Sequence, residues 1–96
     1  MTGAEVVFVV TAYAVGCGAG VDTLTKTGRV PTVGHTIAVD PKVVPLHTPV
    51  WLDGLGTRVA EDTGRLIRGN RIDLFVSSCE EAVKWGRRTV RVQSVR

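Results

Sequence analysis

Residues 60–75 read AEDTGRLIRGNRIDLF, and they place two aspartates, Asp62 and Asp73, at either end of a glycine-punctuated loop. Asp62 ends a short run of alternating apolar residues, and Asp73 lies inside another run, between Ile72 and Leu74. A carboxylate inside a strand needs solvent or hydrogen-bond partners, because burying it without them is costly. For Asp62 the pattern leaves a turn and a functional role equally open, since Asp-Thr-Gly is an ordinary turn sequence. For Asp73 the pattern favours a functional role.

The composition indicates one small β-rich domain that spans residues 1–96. Of the 96 residues 44% are apolar and only 5% are aromatic, so the core must be built mainly from Val, Ile, Leu and Ala. The formal net charge of +3 modestly favours anionic partners. No aromatic ladder and no helix-turn-helix or zinc-finger spacing accompanies this charge, so we expect no nucleic-acid partner.

Outward from this stretch, the sequence predicts six or seven short strands that form a small barrel or sandwich. Alternating or β-branched segments occur at 5–14, 35–40, 49–53, 57–62, around Asp73 and at 88–95. The segment 15–34 is rich in glycine and threonine and is interpreted as an irregular loop. A loop of this length in so small a domain is unusual unless it lines a site.

One short helix is predicted near residues 78–86. Its start carries a capping box in either of two registers, Ser77 with Glu80 or Ser78 with Glu81. Gly86 is placed to end it. The residues expected on its apolar side are Ala82, Val83 and Trp85.

Neither a metal site nor a cofactor is predicted. His35 and His47 have no companion at ligand spacing, and the two cysteines form no CxxC pair. Cys17 and Cys79 are compatible with one disulfide or with two buried thiols, and the sequence leaves both readings open.

A third carboxylate, Asp40, stands at a strand end before Pro41. If Asp40, Asp62 and Asp73 converged on one groove, they would raise one another's pKa and leave one carboxyl protonated near neutrality. A protonated aspartate is a general acid, and the chemistry that best matches such an acid in a polar groove is cleavage of a glycosidic bond. Arginines around the central stretch are expected on the rim of this groove, where they are also able to hold substrate carboxylates.

Three segments carry a resemblance to a known family. Residues 38–51 (AVDPKVVPLHTPVW), 60–75 and 80–92 (EEAVKWGRRTVRV) resemble the 3D domain, a family named for its three aspartates. That family is similar to the catalytic core of the membrane-bound lytic transglycosylase A type and to stationary-phase muralytic proteins. The match runs from Val10 to Val92, and it implies an all-β fold, a six-stranded double-psi β-barrel.

The resemblance also implies a function and the residues that perform it. The domain would be a lytic transglycosylase that cleaves the β-1,4 bond between N-acetylmuramic acid and N-acetylglucosamine in peptidoglycan and forms a 1,6-anhydro product. Asp73 would be the catalytic acid and base, and Asp62 its essential neighbour. The residues expected to bind substrate are Asp40, Thr11, Tyr13, Thr63 and Arg68.

The chain departs from the family pattern at two places. His47 stands where the family has glycine, and Arg65 and Leu66 replace the small Gly-Ala pair that usually follows Asp-Thr-Gly. The second change places bulky side chains next to the expected site.

Two other functions stay open. A double-psi barrel that binds glycan without cutting it is the first alternative, since barwin-like and expansin-like domains resemble such a module. The second is a homodimeric aspartic protease, because such enzymes use an Asp-Thr-Gly motif. The position of the motif after Ala60 and Glu61, late in the chain, argues against the protease.

We expect a monomer that acts on the cell wall, outside the cytoplasmic membrane. The first ten residues, MTGAEVVFVV, lack the basic region of a signal peptide, and no segment is long and apolar enough to span a membrane. An extracytoplasmic substrate and a start without a signal peptide are both expected for a phage-encoded wall-cutting protein or for a domain excised from a secreted parent.

Overall fold

The computed structural model describes residues 5–16 and 24–94, and this part of the chain forms a closed β-barrel with one short helix. The elements in chain order are the strands Val6–Tyr13 (β1), Thr36–Val39 (β2), Pro49–Leu52 (β3), Gly56–Asp62 (β4) and Arg71–Phe75 (β5), the helix Cys79–Trp85 (α1) and the strand Arg88–Ser94 (β6). The strands lie in the order β1-β5-β2-β4-β3-β6 around the barrel. The predicted six-stranded double-psi β-barrel with one short helix is therefore confirmed, and the predicted strand bounds differ from the observed ones by one or two residues.

Two of the six neighbouring strand pairs are parallel. β1 runs parallel to β5, and β2 runs parallel to β4, whereas the other four pairs are antiparallel. Parallel neighbours cannot be joined by a tight hairpin, so these pairs bring together residues that are far apart in the sequence. The four residues at the centre of the candidate site described below lie one on each of these four strands.

The barrel interior is filled by aliphatic side chains, as the composition required. Alternating positions of the strands point inward, which gives each strand one core-facing set. The fully buried or almost fully buried cluster consists of Phe8, Val10, Ile37, Val39, Val44, Val50, Leu52, Ala60, Ile72, Leu74 and Val92.

A β-bulge interrupts the pairing of β2 with β4. Ile37 lies opposite Ala60, but the next residue, Ala38, lies opposite Asp62, so Glu61 is an extra residue in β4. A bulge changes which face of the sheet the following side chains occupy. Without it, Ala38 would face Glu61, and Asp62 would be turned towards the aliphatic core.

The helix uses the second of the two predicted capping registers. The Ser78 hydroxyl accepts a hydrogen bond from the Glu81 backbone N–H (3.1 Å), and the Gly86 N–H donates to the Ala82 carbonyl (3.2 Å). The prediction that Val83 lies on the apolar side of the helix is wrong, because this residue is 78% exposed. The helix meets the barrel through Trp85 instead, whose indole N–H donates to the carbonyl of Val10 (2.9 Å).

Residues 24–35 contain neither helix nor strand, which agrees with the predicted irregular loop. The rest of that loop, residues 17–23, lies outside the described residues, and so does Cys17. The predicted disulfide is therefore not tested, and the alternative of two buried thiols is wrong at Cys79, which is exposed at the start of α1. In the part of the chain that the structure describes, no helix has the length and apolar character needed to cross a bilayer.

His47 occupies a backbone conformation that favours glycine. Its φ is 72°, in the left-handed region, and its N–H donates to the carbonyl of Ala60 (2.7 Å), which holds the turn against β4. Side chains with a Cβ are strained in this region, which explains why the family pattern has glycine here.

We expect His47→Gly to stabilise the fold by about 0.5–1 kcal/mol, because relief of the left-handed strain exceeds the extra backbone entropy that glycine loses on folding. Urea unfolding measures the change. His47→Ala is the control: it removes the exposed imidazole but keeps the Cβ, and it should not raise the free energy of unfolding. A gain with alanine equal to that with glycine would contradict the explanation by backbone strain.

Candidate active site

Four residues on adjacent strands form a row across the barrel wall, which we call the aspartate row. In β4 and β2, Asp62 lies opposite Ala38. On the other side of β2, Ala38 lies opposite Asp73 of β5, which in turn lies opposite Thr11 of β1. Since neighbouring strands lie ~4.8 Å apart, the backbones of the two aspartates are separated by about 10 Å with one alanine between them.

The aspartate row faces away from the aliphatic core. Ile37 and Val39 on either side of Ala38, and Ile72 and Leu74 on either side of Asp73, all belong to the core cluster. Successive side chains of a strand point to opposite faces, so the row occupies the other face. The methyl group of Ala38 lies between the two carboxylates and is itself almost fully buried.

Asp73 is half-buried and weakly partnered. The Thr11 hydroxyl donates to Asp73 Oδ1 (2.8 Å), and within the described residues no hydrogen bond reaches Oδ2. Burial raises the pKa of this carboxyl; the Thr11 hydrogen bond and the nearby Arg71 lower it, and the negative charge of Asp62 raises it further. The net direction is upward, so the protonated form of Asp73 is favoured at a higher pH than in an ordinary aspartate.

Asp62 differs from Asp73 because three donors converge on its carboxylate. Oδ1 accepts from the backbone N–H of Lys26 (2.8 Å) and of Thr63 (2.9 Å), and Oδ2 accepts from the hydroxyl of Tyr13 (3.1 Å). These bonds fix the orientation of the carboxylate and occupy both of its oxygens. Thr63, predicted to bind substrate, thus contacts Asp62 through its backbone.

Tyr13 provides a donor that keeps its proton. Burial and the neighbouring Asp62 charge raise the pKa of the phenol far above its ordinary value. Its ring packs edge-on against Phe75, with ring centroids 5.4 Å apart. The structure therefore brings Thr11 and Tyr13 to the two aspartates, one to each.

Asp40 lies at the end of β2 and has a different set of partners. Its Oδ1 accepts from the Lys42 N–H (3.0 Å) and its Oδ2 from the Gly69 N–H (2.8 Å), and these backbone bonds lower the pKa of the carboxyl. The residue is only 7% exposed. No hydrogen bond joins Asp40 to Asp62 or Asp73 in the described part of the chain, so its observed contacts tie the loop after β4 to the end of β2.

That loop exposes its bulky residues to solvent. Arg65 and Leu66 occupy the centre of a turn closed by a hydrogen bond from the Ile67 N–H to the Gly64 carbonyl (3.0 Å), and Leu66 is 72% exposed. A Cβ at Gly64 would lie 2.9 Å from Cγ1 of the buried Ile67, so the turn requires glycine at that position. Arg68, predicted to bind substrate, is exposed on the same loop.

Glu61, the extra residue of the bulge, is a buried carboxylate that the sequence analysis missed. The Thr36 hydroxyl donates to its Oε1 (2.8 Å), while Arg29 Nε lies 3.5 Å from Oε2 and His35 Nε2 lies 3.7 Å from Oε1. A signal was present: two consecutive acids at the end of an alternating strand would put one of them in the core unless a bulge intervened.

Glu61 and Asp62 together hold the turn at residues 25–29. The Thr27 hydroxyl and N–H donate to the Glu61 carbonyl (2.9 and 3.3 Å), and the Lys26 N–H donates to Asp62. The turn therefore lies over the end of β4 and supplies one of the three donors to Asp62. In the described residues no group of three or more His, Cys, Asp or Glu side chains is arranged to hold a metal ion.

The pKa of Asp73 should respond to its two neighbours in opposite directions. In a carboxyl-carbon NMR titration we expect a midpoint above the ordinary aspartate value of 3.8. Asp62→Asn should lower the midpoint, because a nearby negative charge is removed, and Thr11→Val should raise it, because the charged form loses a donor. Asp53→Asn, in an exposed turn, is the control and should leave it unchanged; shifts of the same sign in both site variants would contradict this arrangement.

The same shift sets a pH dependence of stability. Because folding raises the pKa of Asp73, its contribution to stability is complete below 3.8 and is lost as the pH rises through the folded-state value. Asp73→Asn should therefore be more stable than the wild type at neutral pH, and the difference should shrink as the pH falls towards 3.8.

Loss of the Glu61 carboxylate should loosen the end of β4. We expect Glu61→Ala to lower the free energy of unfolding by about 1–3 kcal/mol, because the buried Thr36 hydroxyl loses its acceptor, and to speed hydrogen exchange at the Lys26 amide. Glu61→Gln keeps an oxygen for Thr36 and should cost less. Arg29→Gln, which removes the exposed guanidinium but keeps the bond from Thr36 to the buried Glu61, should cost less than Glu61→Ala. Equal losses for alanine and glutamine would show that the Thr36 bond is unimportant.

The chain is similar to curated proteins of Bacillus subtilis (strain 168). It is 42% identical over 93 residues to the cell wall-binding protein YocH, covering 93% of this chain and 32% of that protein. It is 40% identical over 86 residues to the putative cell wall shaping protein YabE, covering 86% of this chain and 21% of that protein. The chain thus spans a third or less of the length of these two relatives.

Two solved structures share the fold. The lytic transglycosylase LtgG of Burkholderia pseudomallei superposes with a TM-score of 0.54 and 26% identity over 76% of this chain and 27% of that one. MltA from E. coli superposes with a TM-score of 0.64 over 82% of this chain and 29% of that one, and at 20% identity the likeness is one of fold. The model of the 3D domain matches residues 35–96, which include all three aspartates. The chain therefore belongs to the 3D domain family.

Proposed function

We propose that this domain is a lytic transglycosylase that cleaves the bond between N-acetylmuramic acid and N-acetylglucosamine in peptidoglycan, with Asp73 as the single acid and base. The observation that carries the proposal is the contrast within the aspartate row. Asp73 has a raised pKa and an oxygen without a described partner, whereas Asp62 has both oxygens engaged. The likeness to LtgG and MltA supports the reaction class.

The proposed reaction needs one proton carrier. Protonated Asp73 donates its proton to the glycosidic oxygen as the bond from C1 of the muramyl residue to that oxygen breaks and positive charge develops at C1. The C6 hydroxyl of the same sugar then attacks C1 and gives its proton to the Asp73 carboxylate. The product is a 1,6-anhydro ring, no water is consumed, and Asp73 is protonated again for the next cycle.

Asp62 suits a supporting role in this scheme. An enzyme that hydrolyses glycosidic bonds requires a second carboxylate to activate water or to attack the sugar. The oxygens of Asp62 already accept three hydrogen bonds, which disfavours either task. Its negative charge raises the pKa of Asp73 and lies where it would stabilise positive charge that develops near the row.

Binding without cleavage is the second candidate function, and the name of one relative, a cell wall-binding protein, favours it. The bulky residues after Asp-Thr-Gly, Arg65 and Leu66, are exposed and leave this alternative open. The protease alternative is less well supported. Dimeric proteases need a second copy to supply a second aspartate, whereas here Asp73 comes from the same chain.

The partner in either case is the glycan strand of peptidoglycan, so the proposal places the site of action in the cell wall. The relatives named for the cell wall support this location. A monomer suffices for the proposed reaction, since the aspartate row is complete within one chain.

Asp73→Asn should reduce release of 1,6-anhydromuropeptides from purified cell walls by roughly 10²–10⁴-fold, the usual cost of losing a general acid. Mass spectrometry of the soluble products measures the release. Asp53→Asn changes an exposed aspartate in the turn after β3 and is the matched control, which should keep wild-type release.

Three outcomes separate the functions. Wild-type release by the Asp73→Asn variant would refute the assignment of Asp73. Binding of cell walls by the wild-type domain with no anhydro ends formed would establish the non-catalytic alternative. Absence of both binding and release would refute the connection with peptidoglycan.

A further inference from the structure

Three cations gather at the Asp40 end of the site. The Asp40 carboxylate accepts hydrogen bonds from the backbone of Lys42 and of Gly69, so the side chains of Lys42 and Arg68 start beside it. Val39 lies opposite Ile72 in the antiparallel β2–β5 pair, so Asp40 adjoins the position of Arg71. We call Lys42, Arg68 and Arg71 the cation cluster.

The positive charge of the cluster exceeds what the described residues neutralise. Among the described residues, Asp40 is the only carboxylate that accepts hydrogen bonds from the backbone next to these cations. Both of its oxygens accept from backbone N–H groups, those of Lys42 and Gly69. In the described part of the chain no salt bridge involves any of the three cations. Lys42 and Arg68 are exposed, which leaves their charged groups available to a ligand.

Arg71 connects the cluster to the aspartate row. It precedes Asp73 by two residues in β5, so both side chains lie on the same face, about 7 Å apart along the strand. One guanidinium nitrogen, Nη1, donates to the Leu66 carbonyl (3.2 Å), and the buried Nε has no acceptor in the described residues. A group bound by the cluster would therefore lie next to the sugar whose glycosidic oxygen receives the proton of Asp73.

We infer that the cation cluster is a subsite for a carboxylate of the muramyl residue, and this inference rests on the proposed function. N-acetylmuramic acid carries a lactyl ether that N-acetylglucosamine lacks. That ether ends in a carboxylate when bare, or continues into a short peptide that carries carboxylates of its own. Guanidinium and ammonium groups bind carboxylates through charge-assisted hydrogen bonds. The cluster thus determines which of the two alternating sugars is placed with its C1 at Asp73.

Binding assays with three glycans of equal length test the inference. The ligands are strands with peptide stems, strands from which an amidase has removed the peptides so that only lactyl carboxylates remain, and chitooligosaccharides without any carboxylate. The protein carries Asp73→Asn to prevent cleavage, and affinity is measured by isothermal titration calorimetry. The test variant is Lys42→Gln with Arg68→Gln. The control is Arg58→Gln with Arg91→Gln, which removes the same charge on strands away from the cluster.

We expect the test variant to lose affinity on the order of tenfold for carboxylate-bearing glycans and to bind chitooligosaccharides unchanged. Loss only with the amidase-treated strands identifies the lactyl carboxylate, loss only with the peptide-bearing strands identifies a carboxylate of the peptide, and loss with both shows that the cluster binds either carboxylate. Equal loss for the neutral ligand, equal loss in the control, or no loss would overturn the inference while leaving the proposed function intact. If the protein that carries only Asp73→Asn bound none of the glycans, the proposed function would fail and the subsite with it.

Discussion

One residue of β4, Glu61, has no residue opposite it in β2, and the relation between the two central aspartates depends on this bulge. It moves Asp62 onto the face that carries Ala38 and Asp73, and away from the aliphatic interior. An extra residue interrupts the hydrogen bonds between β2 and β4. Its side chain is a buried carboxylate, which needs hydrogen-bond partners. The Thr36 hydroxyl and the nearby Arg29 meet this need, so the polar cluster around Glu61 stabilises the geometry of the site.

The barrel makes two identical side chains chemically different. Asp62 lies at a strand end, where backbone donors from a turn and a loop reach it, and a tyrosine completes its shell. Asp73 lies within a strand whose own backbone groups pair with neighbouring strands, so a single threonine hydroxyl supports it. Burial with little compensation raises the pKa of Asp73, and this difference is the basis on which we propose the acid role for Asp73.

The loop between Asp62 and Asp73 is held in place by a residue outside it, Asp40. Asp40 fixes its far end through Gly69, and Gly64 allows the tight turn in which Ile67 packs inward while Arg65 and Leu66 extend into solvent. Asp40 thereby holds the backbone at Lys42 and Gly69 without belonging to the aspartate row itself. A family pattern of three aspartates corresponds in this structure to a pair of neighbours and a third that orders the connecting loop.

The sequence by itself determined the strands, the short helix and the aliphatic core, because period-two alternation and capping residues are local signals. It also singled out Asp73, since a carboxylate inside an apolar strand is anomalous wherever that strand lies. Only the tertiary structure decided that Ala38 separates Asp62 from Asp73, that Asp40 binds Gly69, and that Glu61 is the extra residue. These facts depend on register between strands that are distant in the chain, and one residue of slip reverses the face of every side chain that follows.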